Sequence, residues 1–170
     1  MDHSSLQDKI KTASAHELVQ RQRDFFQSGQ TRPLAFRQDC LQRLQVSLLK
    51  HEHDINQAVK EDLNKSPFET YMTETGIVLA ELRFLNKHLP RWIRERRVKT
   101  PLVLKPARSY IVPEPYGVAL IMSPWNYPVQ LTLTPLVASM AAGNCSIVKH
   151  SAYAPSTSRM LAGLLGDLFP

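Results

Sequence analysis

Residues 117–122 form an unbroken apolar run, Gly117 followed by Val118, Ala119, Leu120, Ile121 and Met122, and no other feature constrains this chain as tightly. A strand with one wet face alternates apolar and polar side chains, so a continuous run predicts a strand buried on both faces of a parallel sheet. A helical pattern over 131–142 follows and closes at Gly143 and Asn144. A second β-prone run covers 145–149, and Pro155, Ser156 and Thr157 then open a last helix towards Phe169. Strand, helix, strand, helix is a βαβα unit, in which right-handed crossovers link parallel strands. The expected class is therefore α/β. Two strands do not make a doubly wound sheet, and the expectation is an incomplete domain, the front part of a larger fold.

Before this unit the pattern is helical from Ser14 to about Val98. Ser14 and Glu17 have capping-box spacing, and Gly29 sits where that helix would end. Pro33 suits the first turn of a second helix, with Phe36, Cys40, Leu41, Leu44 and Leu48 on its apolar side. Residues 52–63 predict a third helix with Ile55, Val59 and Leu63 on one face. Ser66, Pro67 and Glu69 repeat the cap and open a fourth, which carries Tyr71, Val78, Leu82, Leu85, Leu89 and Trp92 until Pro90 kinks or ends it. Pro101, Pro106, Pro113 and Pro115 then punctuate β-prone runs at 102–104 and 110–112, read as a hairpin or extended arm at a sheet edge.

Composition narrows the function. A chain of 170 residues with 43% hydrophobic and 21% charged residues is an ordinary globular sequence, neither disordered nor fibrous. Cys40 and Cys145 are too far apart for a CxxC site, which argues against a disulfide framework and for a reducing compartment, the cytoplasm. Met1 to Ser5 start no export leader, and no apolar stretch reaches the ~20 residues of a membrane span. The formal charge of +6 suits anionic small ligands or nucleic acid. However, the basic run of Arg91, Arg94, Arg96, Arg97 and Lys99 has no interleaved aromatics and reads as a helix end complementing its dipole. His51 and His53 lack zinc-ligand spacing, His16 and His88 stand alone, and no metal site is expected.

The densest constellation is Ser123, Pro124, Trp125, Asn126, Tyr127 and Pro128, between the first buried strand and its helix. Open α/β sheets bind ligands beyond the carboxyl ends of their strands, so this loop lies where a site belongs, and the Asn126 amide is a donor able to stabilise an oxyanion. Local pattern equally allows Trp125 and Tyr127 as packing aromatics and Asn126 as a turn residue. Lys149 closes the second strand at the same edge, either as surface or as a partner for nucleotide hydroxyls or phosphate.

Taken together, Pro113 to Gly117, the hexapeptide from Ser123 to Pro128, the stretch from Ala141 to Cys145, and Lys149 resemble the NAD(P)-dependent aldehyde dehydrogenases, in particular the class 3 and fatty-aldehyde branch. Gln22 with Arg23, Phe36 with Arg37, and the stretch from Lys65 to Tyr71 resemble the same branch. The resemblance implies a Rossmann-type dinucleotide-binding domain and oxidation of an aldehyde to a carboxylic acid through a cysteine thioester. It implies that Asn126 holds the aldehyde oxygen as it becomes an oxyanion, and that Trp125 lines the crevice beside the cofactor. Tyr127 matches an aromatic at the substrate entrance. Met122 and Ser123 match positions whose backbone approaches NAD or NADP, and Lys149 matches a lysine on the adenosine ribose.

Two departures qualify it. Where the family carries a glutamate for the ribose hydroxyls this chain has Ala152, and His150 replaces a proline; loss of the carboxylate makes room for a 2′-phosphate with Lys149 and His150 as neighbours. The family's nucleophilic cysteine and general base belong to a later part of its sequence. Cys145 opens an apolar strand and reads as structural. Expected organisation is a helical region over 1–99, an extended proline-rich arm over 100–116 and the start of the dinucleotide-binding domain over 117–170. The chain is expected to be inactive alone and to act with the remainder of the polypeptide, as a dimer when complete. The alternative is a non-catalytic truncated or split-gene product that binds a partner.

Overall fold

The computed structural model describes residues 14–169, so the reading of Met1 to Ser5 lies outside the described residues. Helix α1 (Ala15–Gln27) starts at the expected reciprocal cap. The Glu17 amide donates to Ser14 Oγ at 3.2 Å and the Ser14 amide to Glu17 Oε2 at 2.7 Å. Pro33 is the N-cap of α2 (Leu34–Lys50), one position earlier than expected. Cys40, Leu41, Leu44 and Leu48 are buried there, joined by Arg37, a charge on the core face that the apolar pattern did not include. Its guanidinium donates from Nε to the Thr31 carbonyl at 2.9 Å and from Nη1 to the Ala141 carbonyl at 3.3 Å.

Helix α3 (Glu52–Leu63) buries Ile55 and Val59. The expected fourth helix arrives in three parts: α4 (Pro67–Thr70), a π turn over Tyr71–Thr75, and α5 (Gly76–Trp92). The Gly76 amide reaches back five residues to the Tyr71 carbonyl, and a Cβ on Gly76 would sit 2.6 Å from that oxygen. Glycine is what lets the wide turn close. Tyr71 and Trp92, expected on the apolar face, are exposed, whereas Thr70, Glu74, Val78, Leu82, Leu85 and Leu89 make one buried stripe. Pro90 lies within the last turn of α5. Lacking an N–H, it cannot serve the Asn86 carbonyl, and Gln38 Nε2 bonds that oxygen instead, at 3.4 Å.

The arm is a hairpin in which the run expected at 110–112 forms a strand, one residue early, while the run at 102–104 does not. β1 (Arg96–Val98) pairs antiparallel with β2 (Ser109–Ile111), and Leu102–Leu104 is a 3₁₀ turn, because Pro101 and Pro106 flank it and successive i to i+3 bonds fold it back. Arg96 and Arg97 are therefore exposed strand residues and not a helix end. His88 is not isolated: it stacks on Trp92 with ring centroids 5.5 Å apart and lies 4.4 Å from Phe84.

β3 (Val118–Met122) and β4 (Cys145–Lys149) pair in parallel on either side of α6 (Gln130–Ala142), and α7 (Pro155–Leu168) follows. This is the helical layer and opening βαβα part of the expected α/β fold. Burial on both faces does not hold within the described residues. Ile121 enters the core with Val129, Leu133 and Val137 of the α6 side, while Leu120 and Met122 on the opposite face of β3 are exposed. Among the described residues that face looks onto α1, across an open cavity of about 520 Å³ lined by Leu18, Val19, Phe26, Val118, Leu120 and Ile147. One core joins α2, α3, α5, α6 and α7 with Ile121 of β3. No helix among the described residues is long and apolar enough to cross a membrane.

Candidate active site

Loop 123–128 leaves the carboxyl end of β3, and the sheet ladder continues one residue into it. The Ser123 amide donates to the Lys149 carbonyl at 3.1 Å, and Ser123 Oγ donates to the same oxygen at 3.3 Å. Met122 pairs with Lys149 in the parallel register. The fold thus brings Met122, Ser123 and Lys149 to one edge, as the sequence reading requires of them. Met122 and Lys149 are exposed, and the Lys149 ammonium has no hydrogen bond or ion pair among the described residues. The cavity under α1 lies on the flat of the sheet and not at this edge.

At its far end the loop is pinned hard. Pro128 and Val129 are buried, and the Leu131 amide donates to the Tyr127 carbonyl at 2.9 Å as α6 begins. Glu74, fully buried, accepts from the Val129 amide at 2.7 Å and from the Gln130 amide at 3.4 Å with Oε2. These amides open α6, so the carboxylate caps its N-terminus from 55 residues away in sequence. Oε1 of the same carboxylate accepts from Lys65 Nζ at 2.8 Å. That ammonium also donates to the Asn126 carbonyl at 3.1 Å and lies 4.0 Å from the centre of the Tyr127 ring.

Between these anchors Trp125, Asn126 and Tyr127 project outward, all exposed. A turn asparagine uses its side-chain oxygen on a backbone amide two residues on. Asn126 does not. Its side chain bonds no group among the described residues, while its backbone is held by Lys65. The result is a free amide on a fixed main chain, the arrangement an oxyanion donor needs.

Neither cysteine is near this condition. Cys40 and Cys145 are free and buried, and burial raises both thiols above their ordinary pKa, which keeps them protonated. Burial also lowers the pKa of His150, so its imidazole is neutral at pH 7 and adds no positive charge beside Lys149. No group of three metal-ligating side chains occurs among the described residues.

The sequence matches the aldehyde dehydrogenase family over residues 6–169. The chain belongs to that family. It is 41% identical over 145 residues to 4,4'-diaponeurosporen-aldehyde dehydrogenase of Staphylococcus aureus, covering 85% of this chain and 32% of that protein. It is 42% identical over 147 residues to aldehyde dehydrogenase family 3 member A2 of Pongo abelii, covering 86% and 30%. Among solved structures, a substrate-bound Staphylococcus aureus AldH superposes with a TM-score of 0.87 at 38% identity, over 92% of this chain and 34% of that one. A betaine aldehyde dehydrogenase of the same organism in complex with NAD+ shares the fold, with a TM-score of 0.81 at 20% identity, over 92% of this chain and 31% of that one. The chain spans about a third of the length of the relatives it matches.

Sequence reasoning did not assign roles to Lys65 and Glu74. One signal was present: Glu74 stands four residues before Val78 and eight before Leu82, on the stripe that faces the core, where a carboxylate requires a partner.

Proposed function

We propose that this chain supplies the oxyanion donor and part of the dinucleotide site of an enzyme that oxidises aldehydes with NAD(P)+ through a cysteine thioester. The net reaction takes aldehyde, water and NAD(P)+ to carboxylate, NAD(P)H and two protons. The observation that carries this reading is the unpartnered Asn126 amide on a backbone fixed at the carboxyl end of β3. As a thiolate adds to the aldehyde carbonyl, its oxygen gains negative charge, and an amide already in place stabilises that charge without reorganising. Tyr127 flanks the donor on the substrate side and Trp125 on the cofactor side.

The dinucleotide, when bound, supplies the two-electron acceptor. The open edge formed by Met122, Ser123 and the Lys149 ammonium, which has no partner among the described residues, suits the ribose end, which fits a polar ligand beyond the strand ends. With Ala152 exposed and His150 neutral, Lys149 is the residue that would answer a 2′-phosphate or bond a ribose hydroxyl. Two buried thiols fit a reducing compartment such as the cytoplasm.

Neither thiol suits the nucleophile's role, so the chain is proposed to need a cysteine and a general base from outside these 170 residues. The test is NAD(P)H formation by the purified chain with a medium-chain or aromatic aldehyde, beside a polypeptide that includes a later reactive cysteine. Turnover is expected only from the longer polypeptide. Turnover by the 170-residue chain that vanishes in Cys145→Ala would overturn the reading.

A further inference from the structure

We propose that Lys65 and Glu74 are positioning residues that set the conformation of the loop bearing Asn126, an inference that rests on the oxyanion reading of that residue. Lys65 touches the loop at two successive residues, through the Asn126 carbonyl and the Tyr127 ring. Glu74 touches the helix into which the loop runs, at the Val129 and Gln130 amides. The 2.8 Å ion pair between them joins these contacts into one clamp on 126–130.

The clamp is built at some cost. Two charges are buried, Glu74 completely, where a well-packed apolar pair of similar volume would commonly be no less stable. Glu74 lies within a π turn, which closes where glycine at 76 lets the Tyr71 carbonyl approach. Such turns recur at functional sites. A purely structural core would be simpler with apolar residues at both positions. What the charged pair adds is directional bonding to the Asn126 main chain, which fixes the site from which its amide projects. Glu74 meanwhile occupies the donors that would otherwise compete for a carboxylate or for the nascent oxyanion.

Three variants separate positioning from stability. Lys65→Met leaves a buried carboxylate unpaired and removes both loop contacts. Glu74→Gln keeps an oxygen for the Val129 amide but loses the charge. The double variant removes the unpaired charge while leaving the Asn126 carbonyl without its donor. In the polypeptide that includes the reactive cysteine, Lys65→Met should lose several degrees of Tm, and its acylation rate should fall about tenfold or more at unchanged dinucleotide affinity. The double variant should regain most of the Tm and little of the rate. Recovery of rate together with Tm would overturn the proposal, because a merely structural pair predicts it.

A second readout needs no activity. In the 170-residue chain with Trp92→Phe, Trp125 is the single tryptophan and reports loop motion by time-resolved fluorescence anisotropy. Lys65→Met, or the double variant should the single one not fold, is expected to widen that motion. Unchanged anisotropy overturns the positioning role whatever the kinetics. Widened motion beside a kinetically silent Asn126→Ala supports the clamp and overturns the oxyanion role instead.

Discussion

Two asparagines at opposite ends of the β3–β4 ladder allow one chemical change to give opposite outcomes. Asn144 Oδ1 accepts from the Gly117 amide at 2.9 Å, tying the start of β3 to the start of β4, in a partly buried position. Asn144→Ala removes that acceptor and should cost about 1–2 kcal/mol of stability, the value of a bond whose partner is left unsatisfied. The Asn126 side chain bonds no group among the described residues and is exposed, so Asn126→Ala should change stability by no more than about 0.5 kcal/mol. If its amide meets an oxygen that becomes negative only as the thiolate adds, the loss appears in the transition state. One oxyanion donor is worth about a hundredfold in rate, or ~2.7 kcal/mol. Denaturant unfolding of both variants, with stopped-flow acylation and dinucleotide titration in the polypeptide that includes the reactive cysteine, separates the quantities. Asn126→Ala should be slow and stable with unchanged dinucleotide affinity, and Asn144→Ala fast and weakened. A destabilised Asn126→Ala with a normal acylation rate would make Asn126 a turn residue and refute the reasoning.

Gly143→Ala strains the backbone and strikes a buried side chain at once. Its φ of +89° is left-handed, and a Cβ there would meet the Arg37 guanidinium at 2.7 Å. The backbone strain of ~1–2 kcal/mol adds to displacement of a buried arginine from the Thr31 and Ala141 carbonyls, for a total of about 3 kcal/mol by chemical denaturation; a loss under 1 kcal/mol would contradict it. For His150, burial disfavours the charged ring, so below about pH 6.5 the unfolded chain takes up a proton that the folded chain resists. Stability should therefore fall with falling pH in that window and fall less steeply in His150→Gln. Equal slopes would show that the ring is not desolvated.

What the sequence made legible was chiefly local. Ser14 and Glu17 satisfy each other within one turn, Gly143 ends α6 in the conformation that favours glycine, and Pro155 opens α7, so spacing alone places those ends. The order of strands and helices from 117 onward follows from the same punctuation, and with it the position of loop 123–128. Features that depend on distant partners were not legible. Leu102–Leu104 has the composition of a strand, yet the i to i+3 bonds of Leu104 to Pro101 and Lys105 to Leu102 fold it into a turn, and Arg96–Val98 takes the pairing. Leu120 and Met122 carry the pattern of buried residues, but only an unevenly covered face meets them here. Asn126 was legible as a candidate and ambiguous as a turn residue, since the absence of an Asx bond shows only in three dimensions.

The helical layer reaches the starts of α6 and α7 through two carboxylates. In open α/β sheets the helix N-termini beyond the strand ends are ready anion sites, because their first amides lack partners and the helix dipole favours negative charge. Both such helix ends among the described residues are already occupied. Glu74 accepts from Val129 and Gln130 at the start of α6, and Asp62 accepts from Ser156 at 3.1 Å and Thr157 at 2.7 Å at the start of α7. An incoming phosphate would have to displace a carboxylate at either place, losing existing charge-assisted bonds to make similar new ones. Neither helix end is therefore a favourable seat for the pyrophosphate of a dinucleotide, and among the described residues at this edge it is the Lys149 ammonium that carries a charge with no ion-pair partner among them. A protein that spends its helix dipoles on its own carboxylates gains rigidity where Asn126 and Lys149 are displayed. On the proposed reading, a diphosphate would therefore have to be met by groups other than the amides that Glu74 and Asp62 already hold.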